Sequence, residues 1–216
     1  MHAPNPSESS DGVLIQFAKW PEPGQVKTRL AAGIGDEKAL EAHLVLTTAV
    51  LDSLSATAYP LSFWWDRPRP PGVQVYADKL LTQLHHLAIP QFSQKGTDLG
   101  ARMAHALGAA LENSPKAVIV GSDCPSVDPD YVSQAFAALA EADVVLGPSD
   151  DGGFVLIGTR CDLGDALTGI EWGTSRALEQ TVQALTEADF VVRQLAHRWD
   201  VDDVADWQRF LESRSS

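Results

Sequence analysis

A short apolar run in the middle of the sequence ends abruptly at an acidic residue. Residues 118–121, VIVG, are followed by Ser122 and Asp123. In open α/β sheets, ligands and metals bind beyond the carboxyl ends of the strands. An aspartate there can supply oxygen ligands to Mg²⁺, which usually retains several waters. The alternative role, capping the next helix, suits Asp128 better because it directly precedes Pro129.

A basic segment follows the first apolar run. Residues 18–30, AKWPEPGQVKTRL, contain Lys19, Lys27 and Arg29 against a single acid. Two prolines and Gly24 restrict this segment, so that backbone N–H groups can face outward. Backbone donors combined with cations favour a polyphosphate site. The common phosphate-loop patterns do not occur in it, and a solvated loop with ordinary lysines is the alternative.

Two acidic segments follow later apolar runs. Residues 147–154, GPSDDGGF, have little steric bulk, which would let a substrate approach the backbone, although Asp-Gly is also an ordinary turn signal. Residues 199–207, WDVDDVADW, place Asp200, Asp202 and Asp203 before the last helix, and one of them is expected to cap it. The candidate substrate-binding residues are Asp150, Asp151, Gly152 and Gly153.

A glycine-containing segment, QKGTDLGARM at 94–103, lies between a predicted strand and a predicted helix. Asp98 is a candidate cap for that helix, while Gly96 and Gly100 would let a flat ligand lie close to the backbone. The histidines, including the pair His85 and His86, show no metal-ligand spacing, and we expect them at the surface or in packing.

Strands and helices alternate along the chain and position these segments. The pattern predicts strands at 13–18, 60–65, 89–94, 116–121, 143–148, 154–158 and 190–195. It predicts helices at 36–54, near 77–87, from Leu99 to Leu111, from Pro129, over 174–187 and from about 203. Such alternation predicts an α/β fold of three layers, α/β/α, around a mostly parallel mixed sheet.

Composition excludes several classes of function. The chain has 16 Lys plus Arg against 29 Asp plus Glu, a net charge of −13, which disfavours binding to nucleic acid or to anionic lipid. No apolar stretch approaches the roughly 18 residues of a membrane span. Two cysteines cannot form a disulfide framework, and a cytoplasmic location is expected. Residues 1–12 are predicted to be disordered and 13–216 to form a single domain.

Four segments together resemble an uncharacterised bacterial transferase family with the nucleotide-diphospho-sugar transferase (glycosyltransferase A-like) fold. They are FAKWPEPGQVKTRL, QKGTDLGARM, GSDCPSVDPDYV and GPSDDGGFVLIG. More distantly, KTRL and DVDDVADW are similar to 2-phospho-lactate guanylyltransferase and molybdenum-cofactor guanylyltransferase. The resemblance covers nearly the whole chain from about residue 13, and it is more specific for the fold than for the reaction.

The resemblance implies roles for particular residues. Asp123 matches the acid that binds the divalent metal, Mg²⁺ or Mn²⁺, and Lys27 and Arg29 match a basic pair that contacts triphosphate. The acids of WDVDDVADW match a second metal ligand of the family. The spacing of Asp202 to Asp206 favours Asp202 as that ligand. The implied nucleotide-binding residues are Ala18, Lys19, Gly24, Lys27, Arg29, Gly96, Asp98, Arg102 and Ser122.

Three functional hypotheses follow. The first is nucleotidyl transfer from a nucleoside triphosphate to a small phosphorylated acceptor, with release of pyrophosphate. The second is glycosyl transfer from a nucleotide sugar to a small-molecule acceptor. Pro125 stands where metal-dependent glycosyltransferases commonly have the second acid of Asp-x-Asp, although members of the family are often named glycosyltransferases. The third is a nucleotide-binding module without catalysis. The sequence predicts no oligomeric state.

Overall fold

A computed structural model describes residues 11–214 of the chain. The strands are β1 (Val13–Ala18), β2 (Leu61–Trp65), β3 (Gln91–Ser93), β4 (Ala117–Gly121), β5 (Val144–Pro148), β6 (Phe154–Thr159) and β7 (Val192–Gln194). The helices are α1 (Thr28–Ile34), α2 (Asp36–Ser55), α3 (Gln74–His86), α4 (Leu99–Leu111), α5 (Pro129–Ala138), α6 (Ala177–Glu187) and α7 (Val204–Ser213). Of the segment predicted to be disordered, residues 1–10 lie outside the described residues.

Within residues 11–214 the strands form one sheet in the order β3-β2-β1-β4-β6-β5-β7. β6 runs antiparallel to both β4 and β5, and the other neighbouring pairs are parallel. The prediction of a mostly parallel mixed sheet is therefore confirmed. Because β1 and β4 are adjacent and parallel, the segments that follow Ala18 and Gly121 emerge side by side at one edge of the sheet.

The central strands are apolar on both faces because helices cover both sides of the sheet. In β4, Val118 and Val120 pack in a cluster with α2 and α5, whereas Ile119 packs in a cluster with α4 and α6. All three side chains are buried. Burial on both faces explains the unbroken apolar run in the sequence and confirms the three-layer prediction. No helix among residues 11–214 is long and apolar enough to cross a membrane.

The chain between β1 and α2 differs from the sequence prediction. The sequence pattern predicts no helix before residue 36, but α1 spans Thr28–Ile34. Lys27 precedes the helix with φ 49° and ψ 44°, the left-handed region, and no side chain caps the helix. A left-handed residue other than glycine costs roughly 1–2 kcal/mol. The sequence lacks an ordinary cap signal here, which is why the helix was missed.

Acidic side chains begin three other helices. The carboxylate of Asp128 accepts a hydrogen bond from the Tyr131 N–H at 2.7 Å, and Asp98 accepts one from the Ala101 N–H at 2.9 Å. Asp203 caps α7 in a reciprocal capping box. These contacts confirm the cap predicted at Asp128, so the first turn of α5 does not need Asp123.

Replacement of Asp128 tests the cap. We expect Asp128→Ala to lower the free energy of unfolding by about 1 kcal/mol, because the Tyr131 N–H loses its acceptor. Asp128→Asn is the matched control, since asparagine caps about as well as aspartate. Urea denaturation of both variants gives the comparison. Equal losses in the two variants would show that the charge of Asp128, and not its cap, stabilises α5.

Candidate functional site

A cavity of about 330 Å³ opens at the edge of the sheet where β1 and β4 end. We call it the basic cavity. The segment after β1, the start of α1, the turn after β4 and the segment before α7 all contribute to its wall. The predicted site residues that line it are Ala18, Lys19, Lys27, Arg29, Arg102, Ser122, Asp123 and Asp202. Residues distant in the sequence therefore share one site.

Four cations face this cavity although the protein is strongly acidic. Lys19, Lys27 and Arg29 come from the basic segment, and Arg102 comes from the first turns of α4. Cations gathered in a cleft attract anionic ligands, and charged donors form the strongest hydrogen bonds to phosphate oxygens. The basic cavity is therefore suited to a ligand that carries several phosphate groups.

Lys27 is held against Asp123 at the base of the cavity. Its Nζ donates to Oδ2 of Asp123 at 2.7 Å and also to the carbonyl oxygen of Val201. The Lys27 side chain is 5% exposed, whereas that of Asp123 is 46% exposed. A buried ammonium group requires such partners. The unusual backbone conformation of Lys27 thus accompanies a side chain whose position is fixed by Asp123 and Val201.

The Asp123 carboxyl group is kept ionised by its neighbours. Desolvation by the surrounding protein would raise its pKa, but the charge and hydrogen bond of Lys27 lower the pKa below its ordinary value. The main chain is also fixed, since the Val201 N–H donates to the Asp123 carbonyl oxygen at 2.9 Å. Asp123 therefore presents a charged, anchored carboxylate to the cavity.

Asp202 forms a second acid–base pair on the same cavity. Arg29 donates to its carboxylate, and both side chains are substantially exposed to solvent. An exposed pair of this kind contributes little to stability. The Asp202 N–H donates a hydrogen bond to the carboxylate of Asp206 at 3.0 Å, and this bond positions the segment before α7. Each of the two predicted metal ligands is thus neutralised by a side-chain cation.

The donor set at this cavity fits a magnesium ion shared with a ligand. Among the residues that the structure describes, no cluster of three His, Cys, Asp or Glu side chains could hold a metal by itself. Mg²⁺ is nevertheless usually held by one or two carboxylates together with substrate phosphates and waters. Asp123 and Asp202 supply two carboxylates to a cavity suited to phosphate.

A second cavity, of about 250 Å³, adjoins the first. We call it the acidic cavity. The two cavities share Phe17, Leu99, Gly121 and Asp123. Leu99, the first residue of α4, lies at the boundary between the cavities, and its side chain is 41% exposed. The two cavities therefore meet at the end of β4.

Three of the four acids of WDVDDVADW have different roles. Asp202 faces the basic cavity, Asp203 caps α7, and Asp200 lines the acidic cavity. Burial and the charges of Asp123 and Asp151 raise the pKa of Asp200 to about 6, although a hydrogen bond from Ser149 Oγ at 2.7 Å opposes the rise. The sequence could not distinguish these three acids, because long-range contacts separate them.

Of the four candidate substrate-binding residues, Asp151 and Gly153 line the acidic cavity, whereas Asp150 and Gly152 do not. Asp150 lies outside both cavities, where Arg209 Nη1 is 3.7 Å from its carboxylate. Gly152 has a φ of 87°, and a Cβ there would be 2.2 Å from the Ser175 carbonyl oxygen. Gly152 is therefore required by packing between chain segments.

Three predicted nucleotide-binding residues line neither cavity. Asp98 is occupied in capping α4, and Gly24 lies in a turn with a φ of 72°. A Cβ on Gly96 would be 2.6 Å from the backbone nitrogen of Arg102, so this glycine allows the chain to pack against α4. The group that approaches Gly96 closely is therefore the protein backbone.

The lining residues of the basic cavity that the sequence interpretation did not name as site residues include His43, Asp66 and Gln94. Asp66 and Gln94 directly follow β2 and β3, so the strand-end signal used for Asp123 could have identified them. His43 lies in the middle of α2, where nothing local marks it. Burial lowers the pKa of His43 to about 4, and its Nε2 is 3.0 Å from the Lys19 carbonyl oxygen. His43 is therefore neutral near pH 7.

Comparisons with known proteins identify a family model and similar solved structures. The family model described as "Uncharacterized protein conserved in bacteria (DUF2064)" matches residues 74–174. A provisionally named nucleotide-diphospho-sugar transferase from Desulfovibrio desulfuricans G20 is similar over 96% of this chain and 89% of that chain, with 31% identity and a TM-score of 0.82. A search of curated proteins gave no significant match.

Two solved structures with lower identity share the fold. One is CMP:2-keto-3-deoxy-manno-octonic acid synthetase complexed with CTP, with 10% identity, a TM-score of 0.61, and coverage of 96% of this chain and 100% of that chain. The other is the inositol-1-phosphate CTP transferase from T. maritima, with 15% identity, a TM-score of 0.59, and coverage of 92% and 91%. Together with the relative from Desulfovibrio desulfuricans G20, they show that this chain has the nucleotide-diphospho-sugar transferase fold.

Proposed function

Because the chain belongs to the DUF2064 family of bacterial proteins and has the nucleotide-diphospho-sugar transferase fold, we propose that it is a transferase with a nucleotide donor. The reaction that the site favours is nucleotidyl transfer from a nucleoside triphosphate, with release of pyrophosphate. The observation that carries this proposal is the basic cavity, where four cations line a cleft next to the anchored carboxylate of Asp123.

In the proposed reaction the protein positions charge and forms no covalent intermediate. An acceptor oxygen attacks the α-phosphorus, and the bond from that phosphorus to the oxygen bridging to the β-phosphorus breaks. Lys19, Lys27, Arg29 and Arg102 hold the phosphates and stabilise the departing pyrophosphate. Electrostatic stabilisation and positioning are the main contributions to phosphoryl and nucleotidyl transfer.

Asp123 and Asp202 are the residues that would hold Mg²⁺, or Mn²⁺ in its place. When bound, the ion would offset negative charge on the phosphates. In this structure Lys27 and Arg29 form ion pairs with these same two carboxylates. We propose that both side chains exchange their carboxylate partners for phosphate oxygens when metal and nucleotide bind together.

This exchange predicts that removing the charge of Lys27 strengthens metal binding to the protein. Lys27→Gln is expected to strengthen Mn²⁺ binding to the nucleotide-free protein several-fold, because the Lys27 ammonium no longer competes for Asp123. Isothermal titration with Mn²⁺ measures this, with circular dichroism confirming that the variant is folded. Lys79→Gln, at an exposed lysine of α3, makes the same charge change outside the site. Weaker binding in Lys27→Gln than in Lys79→Gln would contradict the competition.

Glycosyl transfer is the second candidate, and the relative from Desulfovibrio desulfuricans G20 supports it through its provisional name. The same cavity would hold the diphosphate of a nucleotide sugar, and a nucleoside diphosphate would leave. Pro125 in place of a second acid next to Asp123 disfavours this chemistry.

Identification of the released product separates the candidates. The protein is incubated with Mg²⁺, panels of nucleoside triphosphates and nucleotide sugars, and mixtures of small acceptors. Pyrophosphate release supports nucleotidyl transfer, and release of a nucleoside diphosphate from a nucleotide sugar supports glycosyl transfer. Tight nucleotide binding with no product from either panel would contradict both and favour a binding module.

A further inference from the structure

The acidic cavity meets the basic cavity at the position where chemistry would take place. Both cavities include Gly121 and Asp123, at and just beyond the end of β4. If the phosphates of the donor lie among the cations of the basic cavity, an acceptor can reach the donor from the acidic cavity. The lining of the acidic cavity therefore bears on the chemistry of the acceptor.

Three carboxylates line the acidic cavity, those of Asp123, Asp151 and Asp200. All of its lining residues belong to the described part of the chain, and they include no lysine, arginine or histidine. Asp123 is paired with Lys27, but a phosphate dianion placed here would face the charges of Asp151 and Asp200 with no cation of the wall to offset them. Carboxylates instead accept hydrogen bonds, which hydroxyl groups donate.

The remaining wall of the acidic cavity is largely apolar. Phe154 and Trp172 pack edge to face with ring centroids 6.1 Å apart, and Phe17 and Met103 are among the other apolar residues of the lining. Aromatic walls bind molecules that present an apolar face, and a few placed polar groups then fix their orientation. The cavity thus combines acceptors for hydroxyl hydrogens with an apolar surface.

We infer that the acceptor is an uncharged molecule of the sugar or polyol class, with several hydroxyl groups, an apolar face and no phosphate group. This inference rests on the proposed nucleotidyl transfer and differs from the sequence-based expectation of a phosphorylated acceptor. An acceptor hydroxyl oxygen forms a bond to the α-phosphorus, and its proton passes to water. The bond between the α-phosphorus and the bridging oxygen breaks, and pyrophosphate leaves with that electron pair.

Matched pairs of small molecules test the inference by binding. The wild-type protein, saturated with Mg²⁺ and nucleoside triphosphate, is titrated with glucose, glycerol and inositol and with a monophosphate of each, by saturation-transfer NMR. We expect a neutral compound to bind about tenfold or more tightly than its phosphate ester. Tighter binding of the phosphate esters, or no binding of any neutral compound, would overturn the inference.

Two neighbouring aspartates supply matched variants. Asp151→Asn keeps the hydrogen bond that its side chain accepts from the Gly153 N–H at 2.9 Å, but it removes a charge from the cavity. We expect this variant to bind the neutral compound more weakly, and Asp151→Lys to reverse the preference toward the phosphate ester. Asp150→Asn, outside both cavities, should leave the preference unchanged. An unchanged preference in Asp151→Lys would overturn the inference.

Nucleotide titrations distinguish failure of this inference from failure of the proposed function. Wild type and Asp151→Asn are titrated with nucleoside triphosphate and Mg²⁺ and no acceptor. If nucleotide binds normally but the neutral compounds do not, the acceptor class is wrong and the donor site stands. If wild type does not bind nucleoside triphosphate, the proposed function is wrong, and the inference that rests on it is wrong as well.

Discussion

Asp123→Asn is expected to lower the rate of nucleotidyl transfer by about a hundredfold or more, which corresponds to about 3 kcal/mol at the transition state. The variant keeps the size and shape of the side chain and can still accept a hydrogen bond from Lys27. It loses the negative charge that we propose to hold Mg²⁺ against the phosphates. Single-turnover measurements with saturating nucleotide report this loss directly.

The control for this variant is Asp128→Asn, the same chemical change five residues along the same segment. Asp128 caps α5, and asparagine retains that role, so turnover should stay near the wild-type value. Asp123→Asn is also expected to fold, because Lys27 keeps its bond to the Val201 carbonyl oxygen. If Asp123→Asn instead unfolds, and its residual folded fraction binds nucleotide normally, Asp123 is a structural residue.

The strands were predictable because their sequence signals are local. β4 is an apolar run buried on both faces, and the Asp128–Pro129 pair marks the start of α5 without reference to other parts of the chain. The helix α1 was not predicted because the residue that precedes it, Lys27, has a left-handed conformation that no local sequence pattern indicates. Its side chain is held instead by Asp123 and Val201, which are far away in the sequence.

The candidate site was only partly predictable, for a related reason. Strand ends indicate which residues approach the ligand edge, and this located Asp123 and the basic segment. They do not indicate which of several adjacent acids faces which cavity. Asp200 and Asp202 are two residues apart, but contacts with Ser149 and Arg29, distant in the sequence, direct them to different cavities. That assignment depends on the tertiary packing of the segment before α7.

The largest loss of nucleotide affinity is expected on replacing Lys27 and Arg29 together with alanine. In a nucleotidyltransferase these side chains would hold the β- and γ-phosphates that leave as pyrophosphate. Hydrogen bonds to charged groups contribute about 1.5–3 kcal/mol each, so the double variant should bind nucleoside triphosphate more weakly by about 3 kcal/mol or more.

The size of the loss should depend on the number of phosphates in the ligand. A nucleoside diphosphate or nucleotide sugar has no γ-phosphate, so the double variant should lose less affinity for it than for the triphosphate. Titrations with GTP, GDP and a GDP-sugar, at fixed Mg²⁺, measure this difference in wild type and variant. A matched double variant of the exposed residues Lys38 and Lys79 removes the same charge elsewhere and should alter all three affinities only slightly. An equal loss for all three ligands would contradict a γ-phosphate role for Lys27 and Arg29, and would favour glycosyl transfer as the reaction.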